Sequence, residues 1–310
     1  MTIDSMSETA EKKFLDALLQ KRLLVATGVR GVFGRGHVFE DVLQRFDQFV
    51  ERSVKGDGAE KLHFPPILNR KNLEKSGYLK SFPQLAGTVF AFQGKDAEHM
   101  QLLEKLAAGE DWTAYQRATE VVLTPAGCYP VYPTMTGKLP EGGKLIDLWS
   151  YCFRHEPSED PARMQMFRMR ELIRLGDLES VRKWRAEWID RGLQMLKDVG
   201  LPAYVALAND PFFGRGGRML AANQREQELK FEIVCPITSE EKPTAIMSFN
   251  YHQEHFGSTF AIQTADGNTA QTACLGFGME RIILALFKVH GLDPATWPAS
   301  VRAVLFPESK

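Results

Sequence analysis

No stretch of this sequence is apolar for long enough to span a bilayer. Its start, Met1-Thr2-Ile3-Asp4-Ser5, runs into a charged, helix-like segment without the basic start and apolar centre of a signal peptide. A soluble, cytoplasmic protein is therefore expected, with no membrane partner. An excess of one charge is also missing: 38 Lys and Arg stand against 39 Asp and Glu, a formal net charge of -1, and no basic run offers a nucleic-acid arm. Cysteine is scarce. Cys128, Cys152, Cys235 and Cys274 form no CxxC pair, so spacing announces neither a disulfide framework nor a structural zinc site. No repeat, low-complexity tract or linker divides the chain, and 310 residues at 44% hydrophobic can bury one large core. The expectation is a single domain, 1–310, with residues 1–60 supplying N-terminal helices.

What is present is patterned. Residues 7–24 place Phe14, Leu15, Leu18 and Leu19 at helical spacing, and residues 38–50 do the same with Phe39, Val42, Leu43, Phe46 and Val50. Between these two amphipathic helices Gly28, Gly31, Gly34 and Gly36 alternate with Arg30, Phe33 and Arg35, a loop that reads as a plain turn or as an anion-binding segment. Strands are predicted at 87–92, 120–124 and 145–154, and a helix at 97–107. The clearest helix is 177–199, with Leu178, Val181, Trp188, Leu196 and Val199 on one side and Arg182, Lys183, Arg185 and Arg191 on others. Extended segments at 203–208, 229–234, 245–251 and 259–264 precede a last helix over 280–290. Runs of consecutive strands with helices around them argue for an α+β fold on an antiparallel sheet, not for alternating βαβ units.

Two constellations carry chemistry. In Cys152-Phe153-Arg154-His155-Glu156, at a strand end, Arg154 and Glu156 share one face because strand side chains alternate. After the polar loop 157–163 comes Gln165-Met166-Phe167-Arg168-Met169-Arg170-Glu171. Here a guanidinium fork can clamp phosphate and Phe167 can stack on a flat base, although a surface salt bridge on a hairpin would look the same. The second is Cys274-Leu275-Gly276-Phe277-Gly278-Met279-Glu280-Arg281, running into an apolar helix. Its glycines allow close backbone approach, and Arg281 in the first helical turn can meet an anion. A dinucleotide fingerprint would need a third glycine and a βαβ unit, which leaves a nicotinamide-binding oxidoreductase with little support.

Together these segments resemble motifs 2 and 3 of class II aminoacyl-tRNA synthetases of the seryl type, and 64–92 looks like motif 1; the resemblance covers most of residues 60–306. It implies a six- to seven-stranded antiparallel sheet flanked by helices, a homodimer built through motif 1, and bent ATP with Mg²⁺. By this similarity Arg154 would hold the α-phosphate, Arg281 the γ-phosphate, Phe167 the adenine face, Glu156 the adenylate region and Glu232 the metal side of ATP.

Two departures redirect the reading. The long coiled-coil arm that grips tRNA in seryl enzymes has no counterpart, so no tRNA partner is expected. The Thr-x-Glu loop of the serine pocket is replaced by Thr124-Pro125-Ala126-Gly127-Cys128. This pattern is similar to zinc-dependent archaeal seryl enzymes and, closer still, to their truncated relatives, the amino acid:[carrier protein] ligases. That resemblance implies Zn²⁺ held by Cys128, Glu171 and Cys274, three ligands that leave a position open for the substrate amine. Cys152 and Cys235 are assigned to the core. It also implies transfer of glycine or alanine to the phosphopantetheine thiol of a small acidic carrier protein. Arg215 and Arg218, in the 210–218 segment, are the preferred docking element, and the Arg182/Lys183/Arg185 helix the second choice. The competing readings are a seryl-type synthetase lacking its arm and a non-catalytic, synthetase-like binding or regulatory protein.

Overall fold

The computed structural model describes residues 3–214 and 216–307. At its centre seven strands, numbered in chain order, form one sheet: β1 (Glu60–His63), β2 (Lys144–Phe153), β3 (Met166–Gly176), β4 (Tyr204–Leu207), β5 (Lys230–Cys235), β6 (Thr244–Gln253) and β7 (Gln271–Gly278). Their lateral order is β4-β5-β6-β7-β3-β2-β1. Neighbours are antiparallel except at one edge, where β1 pairs β2 in parallel. The expected antiparallel sheet therefore holds for six strands and fails for the seventh. About eighty residues separate β1 from β2, and that long crossover is what a parallel pair requires. The predicted strand at 87–92 forms as Thr88–Phe92 in a separate three-stranded sheet with Ile67–Asn69 and Gln116–Leu123.

Helices His37–Val54, Leu178–Asp198 and Met279–His290 pack on one side of the sheet. The last is apolar all round and buries eight of its residues, among them Ile282, Ile283, Leu284 and Leu286. Each such side chain contributes roughly 1.5–3 kcal/mol of burial. Phe39, Val42, Leu43, Phe46 and Val50 are all buried, as their spacing predicts. Helix Leu178–Asp198 starts after Asp177, whose carboxylate accepts from the Ser180 N–H at 2.9 Å. Two of its residues depart from expectation. Leu178 is half exposed, and Arg185 is buried with its guanidinium over the rings of Phe231 and Tyr251. A long arginine stem can fill an apolar seat that a residue in the first turn does not reach.

The segment 259–264, expected to be extended throughout, is strand only in part: it opens on the end of a helix. His255–Phe260 is a helix, and only Ile262–Gln263 pairs as strand, in parallel with Gly137–Lys138. Phe256 and Phe260, four residues apart, are both buried, and Phe256 stacks on Tyr132 with ring centroids 3.9 Å apart. The segment is too short for that period to stand out in the sequence. The glycine loop near residue 30 is a brace. Gln165 donates from its backbone N–H to the Gly31 carbonyl and from its side chain to the Arg30 carbonyl, tying the N-terminal region to the polar loop before β3.

Candidate active site

The other side of the sheet carries a cavity of about 220 Å³. Strand alternation sorts the residues that reach it. On β3, Phe167, Met169 and Glu171 line the cavity, while Arg168 and Arg170 turn to the helices. On β6, Ser248, Asn250 and His252 line it; on β7, Cys274, Gly276 and Gly278; on β5, Lys230 and Glu232. Gly276 and Gly278 are not in the left-handed region, although the strand passes directly into the helix at Met279. A Cβ at Gly276 would sit 2.5 Å from the Met169 methyl carbon, so that flexible side chain would have to shift.

Arg154 and Arg281, distant in the chain, both line this one cavity. Arg154 Nε donates to the Pro125 carbonyl at 3.2 Å, and its guanidinium lies 5.4 Å from the Phe167 ring centre. Arg281 donates from Nε to the Ala162 carbonyl at 2.8 Å and from Nη1 to the Ala245 carbonyl at 3.0 Å. Among the described residues neither has a carboxylate within ion-pair distance. Burial, then the like charges of Arg154 and Arg163, push the Arg281 pKa below the usual guanidinium range. Two guanidiniums oriented by backbone carbonyls are suited to clamping a polyanion. Glu156 shares the wall, 3.7 Å from the Arg163 guanidinium. Glu232 is also there, with its Oε1 3.1 Å from Lys230 Nζ. A magnesium ion held by Glu232 would have to share that carboxylate with the ammonium.

Further along the cavity Cys128, Glu171 and Cys274 are all buried, with one ligand atom from each lying within 4.8 Å of the others. Glu171 accepts from the Gly127 N–H at 2.6 Å and the Cys128 N–H at 3.1 Å, so the loop after Thr124 wraps its carboxylate. Burial, then the nearby Cys274 sulfur, raises the Glu171 pKa to about 8. The hydrogen bond to Cys274, with burial and Glu171 adding to it, pushes the Cys128 thiol well up; the same bond pulls Cys274 well down. Three buried acids cannot all ionise without a cation among them. A tetrahedral zinc with bonds of about 2.0–2.3 Å spaces its ligands by roughly 3.3–3.8 Å, which this cluster accommodates. The donor set therefore fits zinc. Cys152 and Cys235 are fully buried elsewhere, as expected for core thiols.

Several lining residues were not anticipated. Lys230 is held by Asp210 at 2.5 Å, and Asp210 in turn accepts from the Gln224 side chain at 2.8 Å. His252 Nε2 lies 3.6 Å from Cys274 Sγ. The period-two array Ser248, Asn250, His252 was the available signal; nothing local marks Asp210 or Gln224, which reach the cavity from a loop and a helix. Arg218 is exposed on helix Gly217–Glu226 and does not line the cavity. Arg215 lies outside the described residues.

No model of a protein family matches the chain. Amino acid–[acyl-carrier-protein] ligase 1 of Bradyrhizobium diazoefficiens is 46% identical over 94% of this chain and 89% of its own length, and ligase 2 of the same organism is 45% identical over 90% and 84%. A type-2 serine–tRNA ligase of Methanopyrus kandleri is 29% identical over 58% of this chain and 37% of its own. Among solved structures, M. kandleri seryl-tRNA synthetase in complex with A. aeolicus tRNASec superposes with a TM-score of 0.81 at 21% identity, covering 94% of this chain and 60% of that one. This likeness establishes the fold. The chain is a ligase on a class II aminoacyl-tRNA synthetase catalytic fold and belongs to the amino acid–[acyl-carrier-protein] ligase family.

Proposed function

We propose that the enzyme activates a small amino acid with ATP, forming an aminoacyl-adenylate and releasing pyrophosphate. The acyl group then passes to the phosphopantetheine thiol of a small acidic carrier protein, forming a thioester and releasing AMP. The observation that carries this reading is the cavity itself: two arginines without carboxylate partners face it at one end and a buried Cys-Glu-Cys cluster at the other.

In this scheme Arg154 neutralises the α-phosphate at which the amino acid's carboxylate attacks in line. Arg281 holds the γ-phosphate, Phe167 carries the adenine face, and Glu156 borders the adenylate. Glu232 faces the Mg²⁺ that accompanies ATP. Cys128, Glu171 and Cys274 would hold zinc, a Lewis acid able to take the neutral α-amino group. The amino acid is glycine or alanine, since one methylene in a shaped pocket discriminates by only about 1–3 kcal/mol. A homodimer is supported by the apolar surface left on the three-stranded sheet and on helix Asp96–Ala107, where Phe90, Met100 and Leu106 are each more than half exposed. Arg218, beside the exposed Met219, is offered as a carrier contact, with Arg215 as its neighbour in sequence.

The deciding experiment supplies labelled glycine or alanine, ATP, bulk tRNA and a holo carrier protein together. Label on the carrier is expected, and label on tRNA alone would overturn the acceptor assignment. Cys128→Ala and Cys274→Ala are each expected to abolish both bound zinc and amino-acid-dependent ATP–pyrophosphate exchange. Retention of both would discard the metal site.

A further inference from the structure

Behind the catalytic cavity, on the helix face of the sheet, a second cleft of about 270 Å³ lies between helix Leu178–Asp198 and the turn Gln227–Leu229. Its cations are Arg182 and Arg185, and among the described residues neither has a carboxylate within ion-pair distance. Arg185 is 91% buried: Nη1 donates to the Glu228 carbonyl at 2.8 Å, and Nε has no acceptor. Burial, then the charge of Arg182, pushes its pKa down, and Tyr251 and Glu228 offset only part of this. Glu228 adds a carboxylate to the lining, and the rest of the polar wall is occupied with itself. The Tyr251 hydroxyl donates to Gln271 at 2.5 Å, and the Gln253 amide donates to Gln227 at 2.9 Å. Capping the 228 carbonyl and stacking on two rings explain the seat of Arg185. They do not explain a second, unpaired guanidinium beside it.

The position of the cleft suggests its occupant. Leu229 and Tyr251 border both this cleft and the catalytic cavity. Along β6, Arg281 bonds at Ala245, whereas Asn250 sits across from Cys274; Tyr251 and Gln253 continue past that end. At about 3.3 Å per strand residue, Gln253 is about 10 Å beyond Asn250. The cleft thus adjoins the cluster end of the cavity and lies away from the end where Arg281 bonds to Ala245. Resting on the function proposed above, we propose that Arg182 and Arg185 bind the phosphodiester of the carrier's phosphopantetheine arm as the arm crosses the sheet rim at Gln227–Leu229 toward the adenylate. Paired guanidiniums suit phosphate because they offer several charge-assisted donors.

The test compares pantetheine with 4′-phosphopantetheine as thiol acceptors, following thioester formation for the wild type, Arg182→Glu and the charge-keeping Arg185→Lys. Amino-acid-dependent ATP–pyrophosphate exchange is run in parallel. The wild type is expected to favour the phosphorylated acceptor by about tenfold or more in kcat/KM. Both variants should lose most of that preference while exchange stays unchanged, which also reports that they fold. Equal use of the two acceptors by the wild type, or an undiminished preference in both variants, overturns the cleft assignment. Exchange with no thioester on either acceptor or on holo carrier overturns the wider acceptor reading instead, and the cleft's role with it.

Discussion

On the helix face of β3, Arg168 meets Glu280 at 2.8 Å and Glu40 at 2.6 Å, and Arg170 meets Asp147 at 2.6 Å, Glu51 at 2.6 Å and Asp47 at 3.0 Å. At the cavity, Arg154 and Arg281 are oriented by backbone carbonyls and meet no carboxylate. All four are buried or half-buried guanidiniums close together in one fold. The first pair has its charge answered within the protein and clamps helix His37–Val54 to the sheet. The second pair has its direction fixed and no direct ion pair among the described residues, which suits a site for an incoming polyanion. The acids divide the same way: Asp147 and Glu280 have cationic partners, whereas Glu171 is held by two backbone N–H groups and the Cys128 side chain, with no ion pair among the described residues.

The sharpest break in this comparison is Arg170→Leu. It leaves Asp147, 4% exposed, buried without a partner, and should cost about 3–5 kcal/mol in denaturant unfolding. A loss below about 1 kcal/mol would mean that the network is not a clamp. Next in size, Arg281→Ala should lower ATP–pyrophosphate exchange by about 10²–10³-fold with little change in melting temperature. If stability collapses in step with activity, the two sets of arginines do not differ as described.

The third prediction concerns the acids. With the Glu171 pKa raised to about 8, and Cys128 higher still, both are protonated at neutral pH in metal-free protein. Zinc must displace those protons, so its affinity should climb with rising pH, by up to about tenfold per unit for each proton released, and the Glu171 contribution should level off above about pH 8. Chelator-competition titrations at pH 6, 7 and 8 would detect this, and a flat profile would contradict it. The smallest effect is expected for Glu40→Gln. Glu40 is about one-third exposed, and its loss should cost about 0.5–1 kcal/mol in the same unfolding assay, because Glu280 still answers Arg168.

Much of the site was legible because its chemistry lies in short segments. Arg154 and Glu156, Phe167, and Arg281 at a helix start are local patterns, and the structure brings all four to one cavity, although β2 stops at Phe153 and leaves Arg154 and Glu156 just beyond the strand they were expected to share. Cys128, Glu171 and Cys274 were named through a family likeness, since their separations match no metal-binding spacing; the fold gathers them. Lys230, Asp210 and Gln224 went unread because each looks like an ordinary surface residue until a loop, a helix and a strand converge. Arg182 and Arg185 were read as a second-choice docking face on the helix, with no sign in the sequence that its first turns border a cleft.

Periodicity and side-chain chemistry, which act between near neighbours, determined the helices, the strand faces and the identity of the phosphate-seeking arginines. The tertiary structure alone decided which charges would be neutralised. It also decided the parallel edge of the sheet and the short helix at 255–260. Charge pairing and burial depend on what long-range packing places within a few ångströms, and no local pattern encodes that distance.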